Sequence, residues 1–377
     1  MSKGYFLFLV MTLFILRASA QSVPDKKDVL KSIRLVNDYW QSNHKAEVRA
    51  FWDEAAYHTG NMEAFRITND KKYQLYSEKW ADHNQWMGAK SSDVTKWKYS
   101  YGESDEYVLF GDWQICFQTY IDLYNLDPAE HKIARVKEVM EYQMSTVKND
   151  YWWWADGLYM VMPVMTKMAK LTGKKLYLEK LNEYFSYANS IMYDEEAGLY
   201  YRDAKYVYPK HKSSNGSKDF WARGDGWVFA GLAKVLKDLP KDAPQRDVFV
   251  NKYKAMAKAI LSSQQKEGYW TRSMLDKEHA PGPETSGTAF FTYGLLWGIN
   301  NGYLDKKIYL KTALMGWEYL SKVALQPNGK VGYVQPIGEK AIPGQVVDAN
   351  STANFGVGAF LLSGSEMYRY LNKKGKV

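Results

Sequence analysis

The chain has 377 residues, one cysteine and a formal charge of +8. That length supports a large core without covalent staples, and the lone Cys116 excludes an intramolecular disulfide. The positive balance suits an anionic small molecule, while long basic runs of the kind that bind nucleic acid are absent.

The N-terminus reads as a cleavable export signal. Lys3 supplies the positive start, Phe6 to Leu16 an apolar run, and Ala18-Ser19-Ala20 a small-residue cleavage site before Gln21. The run is too short to span a bilayer comfortably. The expectation is a soluble periplasmic or secreted protein, free of the membrane once residues 1–20 are removed. Removal also takes away two positive charges, Lys3 and Arg17.

Helical periodicity dominates the chain from residue 26 onward, with little strand alternation. It predicts helices over 26–40, 63–68, 71–86, 113–124, 129–148, 161–171, 175–192, 226–239, 247–264, 286–300, 307–325 and 353–371. Short connectors resemble one another: Thr68-Asn69-Asp70-Lys71-Lys72-Tyr73 is echoed by Thr172-Gly173-Lys174-Lys175-Leu176-Tyr177. Each starts a helix with a turn or capping residue. They alternate with long loops rich in Gly and aromatics, at 96–111, 199–220, 268–283 and 327–350. Recurring helical hairpins of this kind close into a barrel or stack into an open solenoid. About six hairpins with irregular long loops favour the closed barrel, an all-α (α/α)6 architecture. No Pro-, Gly- or Ser-rich linker divides the chain, so residues 21–377 are expected to form a single domain.

Several chemistries lack their motifs. There is no HExxH or CxxC, no Gly-rich phosphate loop after a strand, and no serine in a nucleophile elbow. With His and Cys sparse and scattered, a zinc site is not expected. The aromatic load is heavy, with Trp 14, Tyr 30 and Phe 15. Sugar-binding clefts use aromatics in this way, although an aromatic helical core would absorb most of them.

The densest chemistry lies in Phe220-Trp221-Ala222-Arg223-Gly224-Asp225-Gly226-Trp227. Trp offers a flat face for a sugar ring and Arg a planar fork for a carboxylate. The competing reading is a turn with aromatic packing. Asp156 lies in Trp152-Trp153-Trp154-Ala155-Asp156-Gly157-Leu158-Tyr159. Partial desolvation among aromatics raises a carboxyl pKa and equips it to donate a proton near neutrality. A helix cap is its alternative role, as it is for Asp112 in Phe110-Gly111-Asp112-Trp113. Together Asp112 and Asp156 could form the paired carboxylates of glycoside hydrolysis. Asp225 reads as a brace beside Arg223, Glu284 as a helix start, and His58 and His211 as isolated residues.

Taken together, these residues give the chain a likeness to a known family: it resembles glycoside hydrolase family 105, the unsaturated rhamnogalacturonyl and related uronyl hydrolases. The matching stretches are Ala56-Tyr57-His58-Thr59-Gly60-Asn61-Met62, Gly111-Asp112-Trp113 through Gln118-Thr119-Tyr120, and Trp154 to Met160 with Pro163. Phe220 to Trp227, Pro283 to Phe290 and Ala359 to Glu366 complete them, in the same order along the chain. The resemblance implies an (α/α)6 barrel, no cofactor, and an oligosaccharide substrate ending in a 4,5-unsaturated uronic acid. It implies that Asp156 is the general acid/base that protonates C4 and activates water, and that Asp112 orients substrate or water. Trp221, Arg223 and Trp227 match the substrate-binding cluster; Tyr57, Trp154 and Met160 join it from the other matching stretches. One departure stands out. Some family members carry a His-Gly after an aromatic pair, where this chain reads Leu199-Tyr200-Tyr201-Arg202-Asp203. Recognition of the uronate could then rest partly on Arg202 or on other residues. A conventional hydrolase of saturated glycosides and a non-catalytic sugar-binding protein are the rival readings.

Overall fold

The computed structural model describes residues 23–374, so the expected export signal lies outside the described residues. The helices are α1 (Lys26–Asn43), α2 (Trp52–Thr68), α3 (Lys71–His83), α4 (Gly111–Gln114), α5 (Cys116–Leu126), α6 (Ala134–Ser145) and α7 (Ala155–Thr172). They continue as α8 (Leu176–Met192), α9 (Ala222–Asp238), α10 (Arg246–Ser263), α11 (Thr285–Asn300), α12 (Lys306–Tyr319) and α13 (Asn354–Lys374). A two-stranded antiparallel hairpin, β1 (Tyr193–Asp194) with β2 (Leu199–Tyr200), interrupts them.

Helix-to-helix packing shows a closed ring. Helix α2 packs on α4 and α5, these on α7, then α7 on α9, α9 on α11, α11 on α13, and α13 back on α2. The alternate helices α1, α3, α8, α10 and α12 each pack outside an inner neighbour, and α6 lies against α8. This is the closed barrel rather than the open solenoid.

Sequence pattern sorts the two rings. Outer helix α1 buries Val29, Ile33, Val36, Asn37 and Trp40, a single stripe. Inner helix α11 is buried continuously from Thr285 to Gly298 and shows no stripe. Three outer helices, α1, α3 and α12, are capped: Asp25, Asp70 and Asp305 accept from the amides of Lys27, Lys72 and Lys307 at 2.6, 3.2 and 2.8 Å. The two similar connectors end their helices alike, with Asn69 at φ 53° and Gly173 at φ 71°, both left-handed.

Three inner helices start earlier than periodicity predicts. Helix α2 begins at Trp52 rather than 63, α7 at Ala155 rather than 161, and α9 at Ala222 rather than 226. Their first turns carry Gly, Asp and Trp, and those of α7 and α9 are enclosed, so neither propensity nor an apolar stripe marks them. Gly60, ahead of the predicted start at 63, lies inside α2. A Cβ there would overlap the carbonyl oxygen of Gly358 on α13, and a Cβ on Gly358 would meet the Ala56 carbonyl at 2.5 Å. These two glycines let the first and last inner helices close the ring.

Pro163 lies inside α7 and frees the carbonyl of Tyr159 from its helical donor. Gln118 of α5 fills the gap, its Nε2 donating to Tyr159 O at 2.7 Å and Met160 O at 3.0 Å. Its Oε1 accepts from Lys234 Nζ of α9 at 3.0 Å. One amide thus ties three inner helices together. Gln118→Leu, which keeps the volume and removes the polar partners, should destabilise the protein by about 1–3 kcal/mol in chemical denaturation. A midpoint unchanged from wild type would show that the bonds are replaced.

Candidate active site

The inner helices open their N-termini toward the long loops, and the backbone knits that end together. The first amide of each of three inner helices donates to the loop that leads into the next one. Ala155 N reaches Arg202 O at 2.7 Å, Ala222 N reaches Arg272 O at 2.9 Å, and Thr285 N reaches Tyr333 O at 3.0 Å. Helix-start amides lack intrahelical acceptors, and here a neighbouring loop supplies them. The same contacts set Arg202 beside the first turn of α7.

These elements surround a cavity of about 460 Å³, a volume suited to a small saccharide. Of the residues singled out in the sequence, Asp112, Asp156, Trp154, Met160, Trp221, Arg223 and Trp227 line it. Tyr57 does not, and its expected place in the binding set is corrected. It lies one turn further along α2, with its hydroxyl donating to Asn37 Oδ1 of α1 at 2.7 Å and accepting from Gln41 at 3.0 Å. Trp52, at the start of the same helix, takes the cavity position.

Five inner-helix starts carry carboxylates: Asp53 with Glu54, then Asp112, Asp156, Asp225 and Glu284. Their hydrogen bonds separate them. Glu284 caps α11, accepting from Ser286 N at 3.2 Å and Gly287 N at 2.5 Å, and it takes Gln335 N at 3.1 Å. Asp225 accepts Tyr200 N at 2.8 Å, a brace to β2, and Asp53 accepts Asn354 Nδ2 at 3.2 Å. Asp112 and Asp156 cap nothing: the N-cap positions are Phe110 and Trp154. Among the described residues, these two line the cavity and have no hydrogen-bond donor of their own, and Asp156 Oδ1 is buried without a partner.

Burial pushes the Asp156 carboxyl up to about 6, with the positive charges of Arg202 and Arg223 holding it back. Burial also pushes Asp112 well above the ordinary carboxylate range, and the charge of Asp156 adds to the rise. Arg202 Nε stands 3.6 Å from Asp156 Oδ2 and has no hydrogen-bond partner. Its Nη1 is held by Asp203 at 2.6 Å. The guanidinium is therefore anchored at one end and open at the other, next to the buried acid.

Arg223 is placed differently. Its Nη1 donates to Gln335 O at 2.6 Å and its Nη2 to Pro336 O at 2.8 Å. The rings of Trp221 and Phe355 lie 4.5 and 4.6 Å from its guanidinium carbon. It meets the cavity while holding the loop at 335–336 in place. Trp221 joins that grip, donating from Nε1 to Gln335 Oε1 at 2.8 Å. Trp154 is seated between two glycines: a Cβ on Gly111 or Gly157 would come within 3.0 or 3.1 Å of its ring.

The histidines lie elsewhere. His58 is buried in the core, stacked on Trp80 at 3.9 Å. His211 is not isolated: its Nε2 lies 2.8 Å from Asp219, which also accepts from Ser273 Oγ at 2.6 Å. Sequence reasoning misses Arg49, Tyr101, Glu103, Trp153, Lys205 and Ile337 to Glu339, which line the mouth of the cavity. Trp153 sits inside the aromatic stretch around Asp156; Tyr101, Glu103, Lys205 and Ile337 to Glu339 come from the long loops, where nothing singles them out, and Arg49 from the segment ahead of α2.

A family model described as Glycosyl Hydrolase Family 88 matches residues 26–371. The chain belongs to this family. It is 34% identical over 345 residues to an unsaturated 3S-rhamnoglycuronyl hydrolase of Formosa agariphila, covering 88% of each chain. A solved structure described as a family 88 glycosyl hydrolase from Bacteroides vulgatus is 61% identical, with a TM-score of 0.91 over 92% of this chain and all of the other. Another, described as a polysaccharide lyase, is 69% identical, with a TM-score of 0.90 over 92% of this chain and 98% of that one. A family 105 glycoside hydrolase of C. acetobutylicum shares the fold at 22% identity, with a TM-score of 0.70 over 92% of this chain and 99% of that one. Family membership makes the protein a glycoside hydrolase, and the resemblance to uronyl hydrolases read from the sequence holds.

Proposed function

We propose that the protein removes a terminal 4,5-unsaturated uronic acid from short oligosaccharides released by lyases. The observation that carries this reading is a buried, donor-free Asp156 with its pKa pushed to about 6, beside the open end of Arg202. The C4=C5 bond of such a sugar is a vinyl ether. Asp156 delivers its proton to C4, and positive charge develops at C5 and the ring oxygen. The resulting carboxylate takes a proton from a water that adds at C5. The hemiketal then opens, C1 is freed as a hemiacetal, and the leaving sugar departs with its own oxygen. Arg202 pairs with the uronate carboxylate in place of the missing His-Gly, and Asp112 orients the water or substrate. The N-terminal ends of the inner helices favour an anion there. Trp52, partly exposed on the cavity lining, offers flat apolar surface to the sugar, with Trp154 and Trp227 buried behind the wall.

The protein acts outside the cytoplasm in this reading, on the pattern of Lys3, Phe6 to Leu16 and Ala18-Ser19-Ala20. Exported protein should begin at Gln21, and mature protein that retains residues 1–20 would overturn that part. Among the described residues, no helix is long and apolar enough to cross a membrane.

Incubation with unsaturated glucuronyl and galacturonyl disaccharides of both anomeric linkages should remove the ultraviolet absorbance of the double bond as leaving sugar appears. Inactivity on all of them would contradict the proposal. Because the first step needs protonated Asp156, kcat/KM should fall as pH rises through about 6. A profile that climbs across that value would remove Asp156 from the acid role.

The 69% identical relative described as a polysaccharide lyase favours a second reading. A lyase would take a proton from C5 of a saturated uronate and expel the group at C4, creating the double bond. Absorbance would then rise on saturated substrate instead of falling on unsaturated substrate. The buried acid supports the hydrolase, since elimination begins with a base.

A further inference from the structure

The mouth of the cavity differs from its floor. At the floor, Arg202 Nε is open beside Asp156. At the mouth, the other cationic groups are matched by a carboxylate of the protein. Arg49 Nη1 pairs with Glu103 at 2.6 Å, bridging the chain ahead of α2 to the loop ahead of α4. Lys205 Nζ and Arg202 Nη1 both reach Glu339 Oε2, at 3.3 and 3.4 Å. Between these pairs stand three apolar surfaces. Tyr101 is 62% exposed and Ile337 is 64% exposed, both on the cavity lining. Trp153 is partly exposed and lies parallel to Phe110, 6.3 Å away.

Ile337 is held in place although it is exposed. Gln335 fixes the stem of its loop: the backbone amide goes to Glu284, the carbonyl takes Arg223, and the side chain links Trp221, Lys340 and Gln345. Glu339 ties the far side of the tip to Arg202 and Lys205. An exposed isoleucine on a stem with this many bonds presents a fixed apolar surface.

We propose that Tyr101, Trp153 and Ile337 form the subsite for the leaving sugar, and that Glu103 and Glu339 make it select an uncharged sugar with an apolar face over a sulfated one. The inference rests on the hydrolase reading for which sugar is called the leaving one. Tyr101 and Trp153 cover pyranose C–H surface, and Ile337 closes the side. A sulfate ester finds its candidate cations already paired, and it meets the carboxylates of Glu103 and Glu339. These two residues act on specificity through charge and take no part in the reaction.

The test uses two unsaturated disaccharides that differ only by a sulfate ester on the leaving sugar. Their binding to the full-length Asp156→Asn variant is measured by calorimetry. The unsulfated compound should bind about tenfold more tightly. Adding Glu103→Gln or Glu339→Gln should shrink that ratio by freeing a cation, and Ile337→Ala should weaken the unsulfated compound by about fivefold. Each ratio is internal to one protein, so a partly misfolded preparation does not shift it. Equal or tighter binding of the sulfated compound, a ratio that neither glutamine variant moves, or no binding of either compound would overturn the proposal. Turnover by the wild type is scored separately. Binding with the expected ratio but no turnover would contradict the hydrolase and leave the subsite standing.

Discussion

Asp156→Asn lowers kcat on unsaturated disaccharides by about 10²- to 10⁴-fold, the range of a lost general acid. Asparagine keeps the shape of the side chain and cannot deliver the proton to C4. The substitution also removes a buried titratable group, so stability should respond in the opposite direction to activity. The carboxyl is raised in the folded protein, to about 6. Its contribution to stability is therefore fully present below the ordinary carboxylate pKa and is lost as pH rises through about 6. Above that value the wild type keeps a charge in a desolvated site, and the Asn variant does not. The expected result is an inactive variant that melts at a higher temperature than wild type at alkaline pH, with the difference vanishing in acid. Thermal melts at several pH values, alongside initial rates, check both halves. A variant that is inactive and also less stable at every pH would indicate a structural role for Asp156.

The largest expected effect on stability lies far from the chemistry. Gly60→Val should destabilise the protein by at least about 3 kcal/mol, because the new side chain meets the backbone of Gly358, which cannot rotate away. Helices α2 and α13 come from opposite ends of the chain, and their contact closes the ring. Separating them would also move Trp52 and Phe355, which stack at 5.3 Å under the cavity. Chemical denaturation should show an early transition, and activity should fall with it. A midpoint within about 0.5 kcal/mol of wild type would mean that the ring closes without this close approach.

The outer ring is the more legible in the sequence. Helices α8 and α10 fall within a residue of their predicted limits, and α1, α3 and α12 each start on an aspartate cap within a residue of the predicted start. An amphipathic helix against a barrel wall declares one face and one start. Three inner helices, α2, α7 and α9, hide their starts, since their first turns are rich in Gly, Trp and Asp and carry no apolar stripe, whereas α11 and α13 begin within a residue of prediction. The site is half legible for the same reason. Asp112 and Asp156 stand out by their aromatic neighbours, as does Asp225. What sets Asp225 apart is an amide from Tyr200, and what occupies Glu284 includes an amide from Gln335. No local pattern carries those partners. Arg223 reads in sequence as an open fork for a carboxylate, yet two of its nitrogens hold a loop more than a hundred residues away. Tyr57 reads as a sugar contact because it lies in a matching stretch; helix α2 turns it toward α1. Ile337 and Glu339 reach the cavity from the long loop at 327–350, within which no local pattern singles them out.

The central claim is that Asp156 protonates carbon rather than a glycosidic oxygen. The most direct measurement is a short reaction of the wild-type enzyme with an unsaturated disaccharide in heavy water, checked by nuclear magnetic resonance of the uronic product. The predicted result is one deuteron at C4, delivered to a single face, with loss of the double bond in step with release of the leaving sugar. Leaving sugar released while the double bond persists and C4 carries no deuterium would contradict it.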